Sequence, residues 1–333
     1  MNTVEAKAST VFALGGFLDT MSFEIATNYF CAAKIAASGQ VFRMYETEPG
    51  TFDIYSADKH LRLTEERSED RQSGACSDGQ KKDSVTLRLY CPEKDLPYWR
   101  RYLDLDRDYE AVMGLLDAKD GYLNRCCAAG DGIRILRQDT WEMMISFIIS
   151  QQKQIPSIRK CIEGLCAQLG TRMEDGSHAW YSFPTAAQIA AAGPAGVQGL
   201  SLGYRERYIY ETAVQFLDHG IPDETLAAMP YEDAKKYLLS FTGIGEKVAN
   251  CILLFGAGFV DAFPIDTHIK DILYREYYLP NLNGKTSVPQ EKLTMTDYDR
   301  ITGEFFGKYS GFRGIVQQWI FADEVASGHG KSK

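Results

Sequence analysis

A lysine and an aspartate, nineteen residues apart, are the residues of this chain best suited to covalent chemistry. Lys247 lies in the first turn of a predicted helix, where the helix dipole disfavours a cation. Partial burial would lower the pKa of its amine further, and a neutral amine is a nucleophile. Asp266 offers a carboxylate at a predicted helix start, where a capping role would hold it rigidly. A solvated surface lysine and a purely capping aspartate are the alternatives.

The segment before Lys247 is a glycine turn between two helical patterns. Residues 231–240 carry apolar side chains at helical spacing, and a second helix is predicted to start near Glu246. Gly243 and Gly245 allow positive φ and leave backbone N–H groups uncovered at a helix N-terminus. Such a terminus binds anions, and a nucleic-acid phosphate fits it. A packed helical hairpin with glycines for close approach is the alternative.

Composition limits the class of protein. The 333-residue chain predicts two or three domains, and its 45% apolar and 24% charged residues are ordinary for a globular protein. A net charge of −9 argues against DNA binding by bulk electrostatics, so DNA contacts must come from local basic and N–H groups. No apolar run reaches membrane-spanning length, and no signal-peptide pattern begins the chain. We expect a cytoplasmic protein, nucleoid-associated in a bacterium or nuclear in a eukaryote.

The eight cysteines do not have the spacing of a metal site. The absence of a CxxC pair disfavours zinc. No cysteine follows Cys251, which excludes a C-terminal four-cysteine iron–sulfur loop. We expect reduced thiols, mostly in the core, and no metal centre.

Hydrophobic patterning predicts strands first and helices afterwards. Alternation predicts strands at 41–45, 51–55, 61–63 and 85–90, with a mobile polar loop from Glu65 to Asp83. From about residue 95 the pattern becomes helical. There, Asp139 and Glu142 have the spacing of a capping box.

Several segments together resemble one family. Residues 243–251 and 262–268 resemble the signature of the helix-hairpin-helix DNA glycosylases, and within that superfamily they are most similar to 8-oxoguanine DNA glycosylase/AP lyase. The lyase-competent branches share the Lys–Asp pair. Four other segments resemble the same family in the same order along the chain: Ser38 to Arg43, Leu136 to Gln152, Leu202 to Tyr208, and the pair Gln317 and Phe321.

The resemblance implies an α+β fold and a DNA partner. An N-terminal antiparallel β domain (TBP-like, residues 1–110) would precede a two-part all-helical glycosylase domain (111–333), with its helix-hairpin-helix at about 231–256. Double-stranded DNA containing oxidised guanine would bind across the cleft between the helical subdomains, for base excision repair. We expect a monomer that does not bind membranes.

The same resemblance assigns the chemistry. After the damaged nucleotide is flipped out of the duplex, Lys247 would attack C1′ and displace the base. Asp266 would stabilise the oxocarbenium-like charge. A Schiff base and β-elimination would then nick the strand. No cofactor or metal is required.

Recognition residues also follow from the resemblance. Gly39 would direct its backbone carbonyl at N7–H of 8-oxoguanine, a group that guanine lacks. Gln317 and Phe321, one helical turn apart, would bind the Watson–Crick edge and stack on the base, with Cys251 on the other side. Adjacent Gln318 is the alternative under a one-residue misalignment.

The remaining DNA contacts fall on the glycine turn and three other segments. Tyr204 would wedge beside the estranged base and Arg205 would contact it, whereas His268 would lie near the phosphate. Gln151 and Gln152 stand where eukaryotic members carry Asn-Asn. Another departure is Pro156, near the family's second arginine, and these departures predict relaxed selectivity for the opposite base.

Two other readings remain open at this level. One is a helix-hairpin-helix glycosylase for a different damaged base, against which Gly39 and the Gln317–Phe321 pair argue. The other is a non-catalytic DNA-binding module, which would need only the glycine turn.

Overall fold

The structure, a computed structural model, describes residues 7–9, 21–67, 85–175, 178–282 and 286–327. Its first part is an antiparallel sheet of six strands in the order β1-β2-β6-β5-β4-β3, and a separate hairpin pairs β7 with β8. The strands are β1 Lys7–Ser9, β2 Met21–Thr27, β3 Met44–Glu48, β4 Thr51–Ser56, β5 Lys59–Arg67, β6 Val85–Cys91, β7 Arg172–Asp175 and β8 His178–Tyr181.

The sheet departs from the sequence prediction at four places. The pattern predicted neither β1 nor β2, and β3 begins at Met44 rather than residue 41. The predicted loop was wrong at its start: residues 65–67 pair with residues 85–87 as the end of β5. The rest of that loop, 68–83, lies outside the described residues. Polar residues at a strand end look like a loop in the sequence, because the partner strand that pairs with them is distant.

Helices follow the sheet in chain order. They are α1 Ala32–Ala37, within the sheet region, then α2 Leu96–Tyr102, α3 Tyr109–Met113, α4 Gly121–Ala129, α5 Thr140–Ser150, α6 Ile155–Leu169, α7 Ala186–Ala192, α8 Arg205–His219, α9 Asp223–Ala227, α10 Tyr231–Leu239, α11 Glu246–Phe255, α12 Thr267–Ile272, α13 Met295–Phe306 and α14 Arg313–Ser327. The predicted α+β class is confirmed. Within the described residues, no helix has both the length and the apolar character needed to cross a membrane.

Two hydrophobic cores hold these layers. Side chains of β6 alternate between buried and half-buried, and the buried face packs against Trp99 and Tyr102 of α2. Leu105 still belongs to this sheet core, whereas Tyr109 belongs to the core of the helical part. Tyr29 and Phe42 also belong to the helical core and Leu136 to the sheet core, so the predicted boundary at residue 110 stays a prediction.

The start of α5 differs from the expected capping box. The Asp139 carboxylate accepts the Glu142 N–H at 2.7 Å, so the cap itself forms. The Glu142 carboxylate does not return to the cap; it accepts the backbone N–H of Ala57 at 2.9 Å. That predicted box was wrong because a loop of the sheet region supplies a competing donor.

A helical hairpin formed by α10, a glycine turn and α11 precedes the segment that carries Asp266. Gly243 has φ +82°, and a Cβ there would lie 2.8 Å from the Tyr208 ring. The turn therefore needs glycine twice, for its conformation and for its close contact with α8. Gly245 has extended φ, and no described residue lies within 4 Å of a Cβ position there, so this glycine leaves the N-terminus of α11 open.

Candidate active site

Lys247 projects from the first turn of α11 into a mixed aromatic and polar environment. The side chain is half-buried, and Nζ lies 5.3 Å from the centroid of the Phe147 ring on α5. Cys251 follows one helical turn later and is buried. A cation at this position is stabilised by the ring face, which offsets part of the cost of leaving water.

The charge state of Lys247 differs from the sequence expectation. Interaction with the Cys251 sulfur raises the pKa of Lys247, burial lowers it, and the Asp266 carboxylate raises it, so that the net shift is upward. Burial also raises the pKa of the Cys251 thiol. The predicted lowering was wrong because it considered burial and the dipole without these two neighbours. In the free protein the amine is an ammonium group at neutral pH.

Asp266 is both a cap and a charge near the amine. Its Oδ1 accepts the Ile269 N–H at 2.9 Å, which makes it the N-cap of α12. This hydrogen bond fixes the carboxylate in one orientation, half-exposed beside the cavity that Lys247 lines. The predicted capping interaction is therefore present, and it is compatible with an electrostatic role.

One cavity of about 60 Å³ brings six of the predicted residues together. They come from four distant parts of the chain, and they include the amine, the carboxylate and the expected base-contacting groups: Gly39, Lys247, Cys251, Asp266, Gln317 and Phe321. A cavity of this size holds a few water molecules and no purine. A purine could enter only if the cavity widened.

Five further residues line the same cavity: Ser38, Phe147, Phe255, Pro264 and Gln318. Phe147 and Phe255 form a stacked aromatic pair beneath the amine, with centroids 5.8 Å apart. The sequence indicated Gln318 as an alternative under misalignment, whereas Ser38 and Pro264 lay only within the family motifs. Phe147 was not predicted, and the periodic pattern of a helix carries no signal of which cavity a buried side chain faces.

Gly39 is held at the cavity wall by its neighbours. Its φ of +74° is a conformation that glycine adopts without strain. Gln40, fully buried, donates to Ser38 Oγ at 2.9 Å, and its backbone oxygen accepts from Gln138 Nε2 at 2.7 Å. Phe321 covers the glycine, because a Cβ there would lie 3.5 Å from its ring. The glycine backbone thus forms a fixed wall opposite an aromatic side chain.

Gln317 and Phe321 lie on one face of α14. Gln317 is 4% exposed, and its Nε2 reaches the Pro264 carbonyl oxygen at 3.5 Å. Phe321 is half-buried. The predicted i, i+4 placement therefore gives one polar and one aromatic group at the same cavity.

The other predicted DNA contacts do not line this cavity. Tyr204 is 48% exposed at the start of α8, and Gln152 is exposed with φ +52° after α5. Gln151 donates from Nε2 to the Gly243 carbonyl at 2.8 Å, which ties this turn to the helical hairpin. His268 is half-buried in the first turn of α12. These residues remain predictions as DNA contacts.

Arg205, unlike the exposed Tyr204 beside it in the chain, is buried. It is 6% exposed, and its guanidinium donates to the carbonyl oxygens of Leu202 and Gln151. It also stacks on the Tyr204 ring, 4.4 Å from the centroid. In the free protein Arg205 positions the two turns and the tyrosine, and contact with a base would require it to leave these partners.

One group of potential metal ligands occurs among the described residues. Ligand atoms of Asp53, His60 and His178 lie within 4.8 Å of one another. Arg62 occupies both Asp53 oxygens at 2.9 and 3.0 Å, and the two imidazoles are stacked with centroids 4.3 Å apart. Stacked rings direct their lone pairs side by side instead of at one point, so the group is a hydrogen-bonded network and not a metal site.

Comparison with known families decides the classification. Residues 22–144 match the family model "8-oxoguanine DNA glycosylase, N-terminal domain". Residues 145–295 match the model "HhH-GPD superfamily base excision DNA repair protein". The chain belongs to the 8-oxoguanine DNA glycosylases of the HhH-GPD superfamily. It is accordingly a DNA N-glycosylase and DNA lyase.

Individual relatives agree with this family. The chain is 28% identical to an N-glycosylase/DNA lyase of Saccharomyces cerevisiae over 91% of its own length and 85% of that protein. It is 31% identical to the N-glycosylase/DNA lyase OGG1 of Arabidopsis thaliana, covering 58% of this chain and 52% of that one. The fold is similar, with a TM-score of 0.77 and 26% identity, to the Clostridium acetobutylicum 8-oxoguanine glycosylase/lyase bound to double-stranded DNA, covering 98% and 100% of the two chains.

Proposed function

We propose that this family member excises 8-oxoguanine from double-stranded DNA and nicks the resulting site through a Schiff base on Lys247. The single observation that carries the proposal is the cavity in which the amine and the Asp266 carboxylate meet the groups expected to read the base. A DNA-binding module would need the glycine turn alone. It would have no use for an amine and a carboxylate that line one cavity.

Each covalent step of the proposed reaction involves the Lys247 amine or the sugar bonded to it. Neutral Nζ forms a bond to C1′ while the bond from C1′ to the base breaks, and the base leaves with that electron pair and takes a proton from water. Nζ, now positively charged, passes one of its protons to O4′ as the C1′–O4′ bond breaks, which gives a hydroxyl and a protonated Schiff base. Loss of a C2′ proton expels the 3′ phosphate, and water frees the lysine. The Asp266 carboxylate stabilises the positive charge that develops on the sugar.

The raised pKa of Lys247 determines the pH dependence of this pathway. The Cys251 sulfur and the Asp266 carboxylate favour the ammonium form, so the free enzyme must lose a proton before attack. Excision should therefore increase as pH rises towards the pKa of Lys247, and decrease at acidic pH.

Recognition of the lesion would depend on the backbone of Gly39 at the cavity wall. A carbonyl at Gly39 facing N7–H would accept a hydrogen bond from 8-oxoguanine, whereas the N7 lone pair of guanine would meet an oxygen and be repelled. The base would displace Phe321 from its place over Gly39, since both need the same space. Phe321 would then stack on the base face.

Borohydride trapping tests the nucleophile. Reduction of the Schiff base on DNA containing 8-oxoguanine should give a covalent adduct with the wild-type protein and none with Lys247→Gln. Lys236→Gln is the matched control, because Lys236 is an exposed lysine of the same helical hairpin and should leave trapping unchanged. An adduct that survives in Lys247→Gln would exclude this lysine as the nucleophile.

A further inference from the structure

Gln318 is a buried amide that the proposed chemistry does not use. It lies next to Gln317 in α14, lines the same cavity and is 4% exposed. Its Nε2 donates to Gln317 Oε1 at 3.1 Å. Its own Oε1 is buried and has no hydrogen-bond partner within the described part of the chain. Buried polar atoms nearly always have a partner, so this oxygen indicates a group that the free protein lacks.

A relay of hydrogen bonds fixes which way this oxygen points. Gln317 directs Nε2 at the Pro264 carbonyl, which turns its Oε1 towards Gln318. Gln318 must then present its N–H group to that oxygen and its Oε1 elsewhere. Rotation of either amide by half a turn would set oxygen against oxygen and lose a bond. The two side chains, which line one cavity, therefore carry two acceptor oxygens on either side of one hydrogen bond.

Two adjacent acceptors match one kind of base edge. The Watson–Crick edge of guanine and of 8-oxoguanine carries two neighbouring donors, N1–H and the 2-amino group. An adenine edge carries an acceptor at N1 beside a single amino donor, and would leave one oxygen facing a lone pair. Gln317 Oε1 still has a lone pair for N1–H after accepting from Gln318, because a carbonyl oxygen accepts two hydrogen bonds.

We propose that Gln318 is a specificity-determining residue whose Oε1 accepts a hydrogen bond from the 2-amino group of the flipped base. The proposal rests on the proposed excision of oxidised guanine. This hydrogen bond would add the 2-amino group to the groups of the base that the protein recognises, which are N7–H and N1–H. It would restrict the substrates to lesions that keep a guanine-type Watson–Crick edge. Lesions that lack the amine, or that carry an adenine-type edge, leave a buried oxygen unpaired in the complex and are excised slowly.

A purely structural role for Gln318 makes a different prediction. If Gln318 only orients Gln317, its loss slows every substrate that uses Gln317 by a common factor. If Gln318 Oε1 accepts a hydrogen bond from the 2-amino group of the base, loss of Gln318 removes the preference for bases that carry this group. The ratio of two rates separates these cases, because a common factor cancels.

The experiment compares 8-oxoguanine with 8-oxohypoxanthine, the same base without its 2-amino group, each opposite cytosine in one duplex. Single-turnover excision by the wild-type enzyme should be at least about 10-fold faster on 8-oxoguanine, because a missing partner leaves the amide oxygen unpaired. Gln318→Met keeps a side chain of similar length and removes the amide. Its ratio should fall to about 1, mainly through slower excision of 8-oxoguanine.

Abasic DNA provides the control, since it has no base to read. Gln318→Met should retain wild-type trapping and nicking of an abasic site, which shows that the fold and Lys247 are intact. A wild-type ratio near 1, or an unchanged ratio in Gln318→Met, overturns the proposal for Gln318. The wild-type ratio tests it even if Gln318→Met does not fold. Failure of the wild-type enzyme to excise 8-oxoguanine, with trapping on abasic DNA intact, would instead refute the proposed function.

Discussion

Substitution of Asp266 separates the two roles that the structure gives this side chain. Its Oδ1 accepts the Ile269 N–H at 2.9 Å and caps α12, and its charge acts on Lys247. Asp266→Asn keeps an oxygen acceptor at the same position and removes the charge. Asp266→Ala removes both. The pair of variants therefore distinguishes a capping residue from an electrostatic one.

The magnitudes follow from these contacts. Asparagine caps about as well as aspartate, so Asp266→Asn should change the free energy of unfolding by only a few tenths of a kcal/mol. Asp266→Ala should cost about 1 kcal/mol, or roughly 2–4 °C in Tm for a domain of this size. Both variants lose the carboxylate that stabilises the developing positive charge, so excision should fall by about 100- to 1000-fold in each.

The pH dependence gives a third measurement. The Cys251 sulfur and the Asp266 carboxylate both raise the pKa of Lys247, and Asp266→Asn removes the second influence. The pKa of Lys247 should fall, so a larger fraction of its amine is neutral at a given pH. The residual activity should therefore reach its plateau at a lower pH than wild-type activity, in single-turnover excision measured across the pH range.

Three outcomes would refute this reasoning separately. Wild-type excision in Asp266→Asn would show that the charge is dispensable. A loss of stability in Asp266→Asn as large as that in Asp266→Ala would contradict the capping geometry. A residual pH profile at the wild-type position would show that Asp266 does not act on the amine of Lys247.

Three other predictions concern the turn, the partner strand and a buried acid. Gly243→Ala should destabilise the protein by more than about 1–2 kcal/mol, because its φ is +82° and a Cβ would lie 2.8 Å from the Tyr208 ring. Gly245→Ala is the control and should be tolerated, and urea unfolding of both variants measures the difference. Excision opposite C, A, G and T should differ little, and a large preference for C would contradict the inference from Gln151, Gln152 and Pro156. Burial raises the pKa of Glu142 to about 7, so the folded protein keeps a proton that the unfolded chain loses at lower pH. Glu142→Gln should therefore stabilise the protein by on the order of 3 kcal/mol above pH 7, and the gain should vanish below the pKa of the unfolded chain; a gain that persists in acid would refute it.

Local signals account for the parts of the fold that the sequence predicted well. The helices at 231–239 and 246–255 lie where periodicity and the glycine turn put them, because capping, φ preference and amphipathic spacing act over a few residues. Strand β2 and the end of β5 escaped prediction because pairing with β6 stabilises them. Pairing depends on a strand far away in the sequence, so it leaves little trace in the local pattern.

The sequence by itself determined the family and the residue types of the site: an amine and a carboxylate at a fixed spacing, a glycine turn, and a Gln–Phe pair one helical turn apart. Only the tertiary structure decided their states. It places Cys251 and Asp266 where they raise the pKa of Lys247, and it buries Arg205 against two backbone carbonyls. It also leaves Gln318, which lines the cavity, with a buried Oε1 that has no hydrogen-bond partner among the described residues. Charge and hydrogen bonding depend on distances between atoms, and folding sets those distances across segments that the sequence keeps apart.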